Sequence, residues 1–199
     1  GHVGWRSLVP IRPEGLRHLQ FFLGDGCFFG LCPVAEGAYG FGHVNDPDIR
    51  DEVQGRLKRL RRRFAAFGGA VPEYGAALER DEQIHCSTIQ WIDQDRWYSE
   101  RVVLIGDAAH ATSPILGQGG CLAMEDAAVL AEILRTSDSI TDALANYDKR
   151  RKPRVKWVQQ RSLALFRQLR QEPAARNALL RDEGEQTLRN CFRPLTAAP

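Results

Sequence analysis

Residues 101–130, RVVLIGDAAHATSPILGQGGCLAMEDAAVL, constrain the fold more than any other part of this 199-residue chain. The segment opens with an apolar run, VVLI, which is typical of a strand covered on both faces. It closes with a helical pattern whose core-facing positions are Leu122, Ala123, Ala127, Leu130, Ile133 and Leu134. Between the two lie Gly106, Asp107, Pro114 and three further glycines. The sequence therefore predicts a strand–loop–helix unit of an open α/β sheet.

The loop of this unit combines one carboxylate with much bare backbone. Ligands bind at the carboxyl ends of strands in open α/β sheets, where Asp107 would accept hydrogen bonds from the hydroxyls of a sugar or sugar alcohol. Gly117, Gly119 and Gly120 lie where free N–H groups and the positive end of the helix dipole favour a flat, negative group. The loop matches neither GxGxxG nor GxxxxGK[ST], so a turn whose glycines only reverse the chain remains an alternative.

Composition narrows the class of protein. Hydrophobic residues make up 43% and charged residues 26%, as in ordinary globular domains. The net charge of +2 argues against a nucleic-acid partner, and the absence of an apolar run of about 18 residues argues against a membrane span. Five cysteines without a CxxC pair predict reduced thiols, a cytoplasmic location and no metal site.

The remaining segments predict a sheet followed by helices. Residues 1–45 read as antiparallel strands with turns at 24–26 and 36–37. A helix over 47–67, capped by Asp46 and ended by Gly68, would pack its apolar face on that sheet. A short helix within 72–83 and a strand over 84–92 come next. A long helix over 139–171, interrupted or kinked near Pro153, precedes a second helical segment over 172–192.

The segment GDAAHATSPILGQGGCLAMEDAAVLAEIL, residues 106–134, resembles the second FAD motif of the class A flavoprotein monooxygenases. This is the aromatic-hydroxylase family typified by p-hydroxybenzoate hydroxylase. The form GQGGCxAxEDA is most similar to its salicylate hydroxylase, zeaxanthin epoxidase and urate hydroxylase branches. GWRSLV near the start and ALANYDKRRKPRV in the long helix also fall where the family has similar segments.

The resemblance implies a flavin-binding role for each loop residue. Asp107 matches the aspartate that binds the ribityl chain of FAD. Pro114 matches the proline beside the isoalloxazine, where a flavin C4a-hydroperoxide transfers oxygen. The residues whose N–H groups would face the pyrimidine edge of the flavin are Leu116, Gly117, Gln118, Gly119 and Gly120. NAD(P)H would serve as the reducing co-substrate.

The resemblance also implies a domain organisation. Residues 1–98 would be a partial, β-rich substrate-binding domain, 99–136 the C-terminal part of a Rossmann-like FAD domain, and 137–199 C-terminal helices. The fold class is then mixed α/β. The family's GxGxxG unit is not found in this sequence, so the resemblance implies a C-terminal half whose partner is an N-terminal half carrying GxGxxG.

The implied activity is hydroxylation or epoxidation of an aromatic or apolar small molecule with NAD(P)H and O2. Substrate contacts are predicted for Arg6, Phe21, Phe29 and Tyr39, although the aromatic residues of 21–41 would equally pack on the following helix. Ile115 replaces the acidic residue of urate-type members, which disfavours urate. The alternatives are a non-catalytic half-domain that binds a partner chain or ligand, and a related flavoprotein reductase or halogenase.

Two further motifs receive structural interpretations. His110 lies between Asp107 and Ser113, but no GxSxG elbow accompanies them, so a packed residue is favoured over a catalytic triad. The basic run KRRKPR, residues 149–154, is interpreted as the surface of the long helix.

Overall fold

The computed structural model describes residues 3–44, 51–169 and 171–199. The chain separates into two units, Gly1–Ile89 and Gln90–Pro199. The first is an antiparallel sheet covered by two short helices, and the second is mostly helical. The predicted mixed α/β chain, with an antiparallel sheet followed by C-terminal helices, is confirmed.

Alternating apolar residues build the sheet of the first unit. Its strands are β1 (Val3–Val9), β2 (Gln20–Leu23), β3 (Cys27–Val34), β4 (Gly37–Val44) and β5 (Ile84–Thr88), in the spatial order β2-β3-β4-β1-β5. All neighbouring strands are antiparallel. In β1 the odd-numbered residues from Val3 to Val9 are buried, whereas Arg6 and Leu8 are exposed. One face of the sheet therefore carries the core.

Helices α1 (Arg56–Arg63) and α2 (Val71–Ala76) belong to the core of the first unit. Leu57 and Leu60 are the buried residues of α1, and Phe64 directly after it packs edge-on against Phe29 with ring centroids 4.8 Å apart. Tyr74 of α2 is fully buried in the same core.

The helix expected over 47–67 is shorter, and α1 begins only at Arg56. Gly55 adopts a left-handed conformation with φ of 74°, which breaks the helical path. The carboxylate of Asp81 accepts hydrogen bonds from the N–H groups of Gly55 (2.6 Å) and Leu57 (2.7 Å). This long-range contact satisfies N–H groups at the start of the helix, which a local cap would otherwise do. The expected cap, Asp46, lies outside the described residues.

Replacement of Gly40 by Ala is expected to lower the free energy of unfolding by about 1–3 kcal/mol through overpacking. A Cβ on Gly40 would lie 2.4 Å from Cζ of Tyr74. That ring cannot shift easily, because its hydroxyl donates to Ser7 O (2.7 Å) and lies 2.7 Å from Ser7 Oγ. Chemical denaturation measures the loss. Gly75→Ala is the control, since its Cβ meets nothing within 4 Å; equal stability of both variants would contradict the expectation.

The second unit contains a small hairpin and four helices in its described residues. Strands β6 (Tyr98–Ser99) and β7 (Val102–Val103) form the hairpin. The helices are α3 (Asp107–His110), α4 (Gly119–Thr136), α5 (Ile140–Leu169) and α6 (Pro173–Phe192). Among the described helices, none combines the length and apolarity needed to cross a bilayer.

Three expectations for this unit differ from the structure. Residues 102–106 do not form a strand buried on both faces, since among the described residues β7 pairs only with β6, and Val102 and Ile105 stay 64% and 41% exposed. In α4 the buried residues are Leu122, Asp126, Val129 and Ile133, whereas Ala127 and Leu134 are exposed. The long helix α5 passes through Pro153 without interruption, and this proline is exposed.

Candidate functional site

The loop between β7 and α4 is shaped by backbone geometry at both of its ends. Gly106 has φ of 57° and ψ of −142°, a region that only glycine adopts readily. Asp107 follows it as the first residue of α3. Further on, Ser113 Oγ accepts a hydrogen bond from the N–H of Ile115 (3.3 Å) and caps a short 3₁₀ turn over Pro114–Leu116. Asp107 is thus presented on a fixed turn.

The start of α4 offers free backbone donors. Leu122 N donates to Gln118 O (2.9 Å), and the N–H groups before it have no acceptor within the helix. None of the described side chains caps this end. Cβ atoms placed on Gly117 or Gly120 would meet nothing within 4 Å, so the surface above this backbone is open.

Asp107 lies beside this helix start. Its Oδ1 is 3.9 Å from the position that a Cβ on Gly119 would occupy. The carboxylate and the free N–H groups therefore belong to one site. A ligand with hydroxyls on one part and a flat or negative group on another could contact both.

The predicted flavin residues differ in accessibility. Four of them are exposed: Asp107, Pro114, Gly117 and Gly120. Gln118 and Gly119 are half-buried. The side chain of Leu116 is buried in the core of this unit, so only its backbone is available to a ligand.

A buried charged cluster beneath the loop was not predicted. Asp126 on α4 and Arg151 on α5 are both 0% exposed, and His110 is 1% exposed. Asp126 Oδ1 accepts from Arg151 Nε (2.7 Å). Asp126 Oδ2 accepts from the N–H of Gly106 (2.8 Å) and lies 2.6 Å from His110 Nε2. Arg151 is therefore in the core, which corrects the interpretation of KRRKPR as helix surface.

The cluster favours an ionised Asp126. Burial alone would raise the pKa of this carboxyl, but hydrogen bonds from His110, Arg151 and the Gly106 N–H together hold the pKa below its ordinary value. Burial and the nearby Asp126 charge raise the pKa of Tyr147. Glu125 extends the cluster by pairing with Arg151 (2.8 Å) and with Arg154 (2.6 Å).

The burial of Asp126 and Arg151 could have been predicted from their positions along the two helices. Asp126 falls on the buried stripe of α4 between Leu122 and Val129, and Arg151 falls on that of α5 between Tyr147 and Val155. Opposite charges on two apolar stripes are a pattern expected of a buried pair, because an unpaired charge would be excluded from a core.

The geometry of His110 does not correspond to a catalytic triad. Its Nε2 contacts Asp126 rather than Asp107, and Ser113 Oγ serves as the cap of the 3₁₀ turn. Its ring is 5.1 Å from that of Trp97 between centroids. His110 is a packed residue, as expected.

Three of the four predicted substrate contacts, Arg6, Phe21 and Tyr39, share the face of the first unit's sheet that lies opposite its core. The register aligns Arg6 with Phe41, Phe41 with Gly30, and Gly30 with Phe21, so these residues share one face. Burial raises the pKa of Tyr39, and the charge of nearby Arg6 partly opposes that effect. The described residues of this face thus form an aromatic surface that carries the guanidinium of Arg6.

Phe29 does not lie on that surface. It points to the opposite face of the sheet, is 1% exposed and contacts Phe64 and Tyr74 in the core. For this residue the packing alternative describes its position, because successive strand residues point to opposite faces.

Comparison with known proteins places these features in a family. The model of a family described as "FAD binding domain" matches residues 77–170, which include the whole loop. A FAD-dependent urate hydroxylase of Klebsiella pneumoniae is 36% identical over 163 residues, covering 78% of this chain and 42% of the relative. Aurachin C monooxygenase/isomerase of Stigmatella aurantiaca is 33% identical over 157 residues, covering 74% and 39%.

A solved structure shows the same similarity. The crystal structure of Klebsiella pneumoniae HpxO complexed with FAD and uric acid matches with a TM-score of 0.86 and 29% identity, covering 100% of this chain and 54% of that one. The chain spans less than half the length of the two curated relatives named above. The matches in sequence and structure show that the chain belongs to the class A FAD-dependent monooxygenases, of whose length it corresponds to only a part.

Proposed function

We propose that this chain is the part of a FAD-dependent monooxygenase that holds the reactive end of the flavin and contributes to the substrate site. The complete protein would hydroxylate or epoxidise an aromatic or apolar small molecule. FAD, reduced by NAD(P)H, would supply the oxygen-transfer chemistry with O2. The observation that carries the proposal is the Asp107 carboxylate beside the open, uncapped start of α4, with Oδ1 3.9 Å from a Cβ position on Gly119.

The residues of the loop fit the parts of a flavin. The exposed Asp107 carboxylate would accept hydrogen bonds from ribityl hydroxyls. The free N–H groups at Gly119 and Gly120 would face the pyrimidine edge, where the helix dipole stabilises negative charge on the reduced ring. The exposed, rigid Pro114 would lie beside the ring and limit the access of water to it.

The substrate side of the proposal rests on the aromatic face of the sheet. Phe21 and Tyr39 would contact an aromatic or apolar substrate, and Arg6 would contact a polar or negative group on it. Arg6 donates to Ser87 Oγ (3.0 Å), which orients its guanidinium along this face. Ile115 stands where urate-type members of the family have an acidic residue, so we propose a substrate other than urate.

A partner segment is part of the proposal. Because the chain corresponds to less than half of its curated relatives, we expect an N-terminal half carrying GxGxxG to hold the ADP portion of FAD. The roles of 1–98 in substrate binding, and of 99–136 in flavin binding, belong to the same proposal.

Asp107→Ala in the complete protein is expected to weaken FAD binding about ten- to a hundredfold. A charge-assisted hydrogen bond contributes roughly 1.5–3 kcal/mol, which corresponds to that change in affinity. The apoprotein should keep its stability, since Asp107 is exposed. Equilibrium titration with FAD and circular dichroism of the apoprotein are the measurements.

Asp142→Ala is the matched control, because Asp142 also lies in the first turn of a helix, α5, and is exposed. Unchanged FAD affinity in a folded Asp107→Ala variant would contradict the assigned role. FAD binding by the wild type without O2-dependent product formation would favour a reductase. No FAD binding at all by the complete protein would favour the non-catalytic alternative.

A further inference from the structure

We propose that Asp126, held by Arg151, is a positioning residue for the flavin: it sets the turn that presents Asp107. The inference rests on the proposed function of the loop. It assigns a role to two buried residues that cannot themselves contact a ligand, because both are 0% exposed.

The contacts of one carboxylate oxygen carry the proposal. Asp126 Oδ2 accepts from the N–H of Gly106 (2.8 Å) and lies 2.6 Å from His110 Nε2. Gly106 immediately precedes Asp107, and His110 follows it by three residues. A single buried atom thus fixes both ends of the short helix α3, on which Asp107 is the first residue.

Arg151 holds that carboxylate in place. Its Nε donates to Asp126 Oδ1 (2.7 Å), while its Nη2 donates to Leu122 O (3.3 Å) and pairs with Glu125 (2.8 Å). Arg151 therefore bonds to α4 at three points and leaves Oδ2 of Asp126 free for the turn. Because the groups are buried, this arrangement has few alternatives of comparable energy.

The unusual backbone at Gly106 explains why a fixed acceptor is needed. Its φ of 57° and ψ of −142° lie in a sparsely populated region, which persists only when surrounding contacts hold it. Loss of the acceptor would leave a buried N–H unsatisfied and let the turn relax. Asp107 would then lose its orientation toward the ribityl chain.

The competing explanation is purely structural, because the ion pair between Asp126 and Arg151 also joins α4 to α5. Another ion pair joins the same helices: Arg150 Nη1 lies 3.1 Å from Glu132 Oε1, and both side chains are at least one-third exposed. That pair touches neither Gly106 nor His110 in the contacts of the described residues. It supplies a control that alters the helix–helix contact without altering the turn.

The experiment compares two charge-balanced double variants of the complete protein. Asp126→Asn/Arg151→Met keeps a carbonyl oxygen that can accept from Gly106 and His110. Asp126→Leu/Arg151→Met removes that acceptor. The control is Glu132→Gln/Arg150→Gln. FAD affinity is measured by titration, and unfolding of each apoprotein by chemical denaturation.

We expect the asparagine variant and the control to bind FAD within a few-fold of wild type. The leucine variant should bind about tenfold more weakly or worse, because it lacks the acceptor that orients the turn. Rescue by asparagine at similar apoprotein stability would support positioning. If the leucine variant does not fold, Asp126→Ser/Arg151→Met replaces it, since serine is too short to reach Gly106.

Equal affinity of the two double variants would overturn the positioning role. The proposed function would still stand in that case, provided that wild type binds FAD and Asp107→Ala weakens the binding. Failure of the wild-type protein to bind FAD would overturn both proposals together.

Discussion

Arg151→Met alone is expected to lower the free energy of unfolding by about 3–5 kcal/mol, because breaking a buried ion pair leaves an uncompensated charge. Asp126 would lose its 2.7 Å partner while remaining 0% exposed. Its pKa should then rise, since burial would no longer be opposed by the guanidinium. Chemical denaturation of the apoprotein at neutral pH measures the loss.

Arg150→Met provides the comparison for that variant. Arg150 precedes Arg151 on α5, but its pair with Glu132 is solvent-exposed. Exposed pairs contribute about 0–1 kcal/mol. A similar loss of stability in both variants would show that Arg151 is not a buried partner of Asp126.

Gly37→Ala is expected to lower the free energy of unfolding by about 3–5 kcal/mol, which combines backbone strain with overpacking. Gly37 has φ of 150°, and its Cβ would lie 2.0 Å from Val9 O and 3.0 Å from Val9 C. Those atoms belong to the backbone of β1, so relief would require the end of that strand to move. The change in stability is measured by urea denaturation.

Gly26, in the turn between β2 and β3, tests the effect of backbone strain without a steric contact. Gly26 has φ of 63°, but a Cβ there meets nothing within 4 Å. Gly26→Ala should therefore cost only about 1–2 kcal/mol, the penalty of the left-handed conformation. If Gly37→Ala cost no more than Gly26→Ala, the contact with Val9 would have no energetic importance.

The parts of the fold that depend on local patterns were predictable. The strands of the first 44 residues follow from alternating apolar residues and from turns at glycine, and the structure has them with their expected antiparallel pairing. The loop that carries Asp107 and precedes α4 was expected from its residue types, whereas its flavin-binding role came from the family resemblance and stays a prediction. The helices predicted over 139–171 and 172–192 correspond to α5 and α6.

The errors arise where distant residues act on a segment. The start of α1 depends on Asp81, which is 26 residues away from Gly55 and cannot be recognised as a cap by spacing. The exposure of Val102 depends on which strands flank β7, and the described residues provide only β6. In both cases a local preference was real, but a tertiary contact decided the boundary.

The buried pair was missed for a different reason. A run such as KRRKPR is solvated in most proteins, and composition cannot show that one of its members faces inward. Only the helical phase of Arg151, between Tyr147 and Val155, separates it from Arg150 and Lys152. A search for opposite charges in phase with two apolar stripes would have paired it with Asp126.

The buried pair of Asp126 and Arg151 also limits which substitutions this sequence can accept during evolution. A substitution that removes only Asp126 or only Arg151 passes through a protein with a lone charge in its core, so the two positions are expected to change jointly or not at all. Glu132 and Arg150 can be exchanged one at a time, because solvent replaces the missing partner. Two ion pairs between the same helices thus differ in mutational freedom, and the more constrained one lies directly beneath the Gly106 turn.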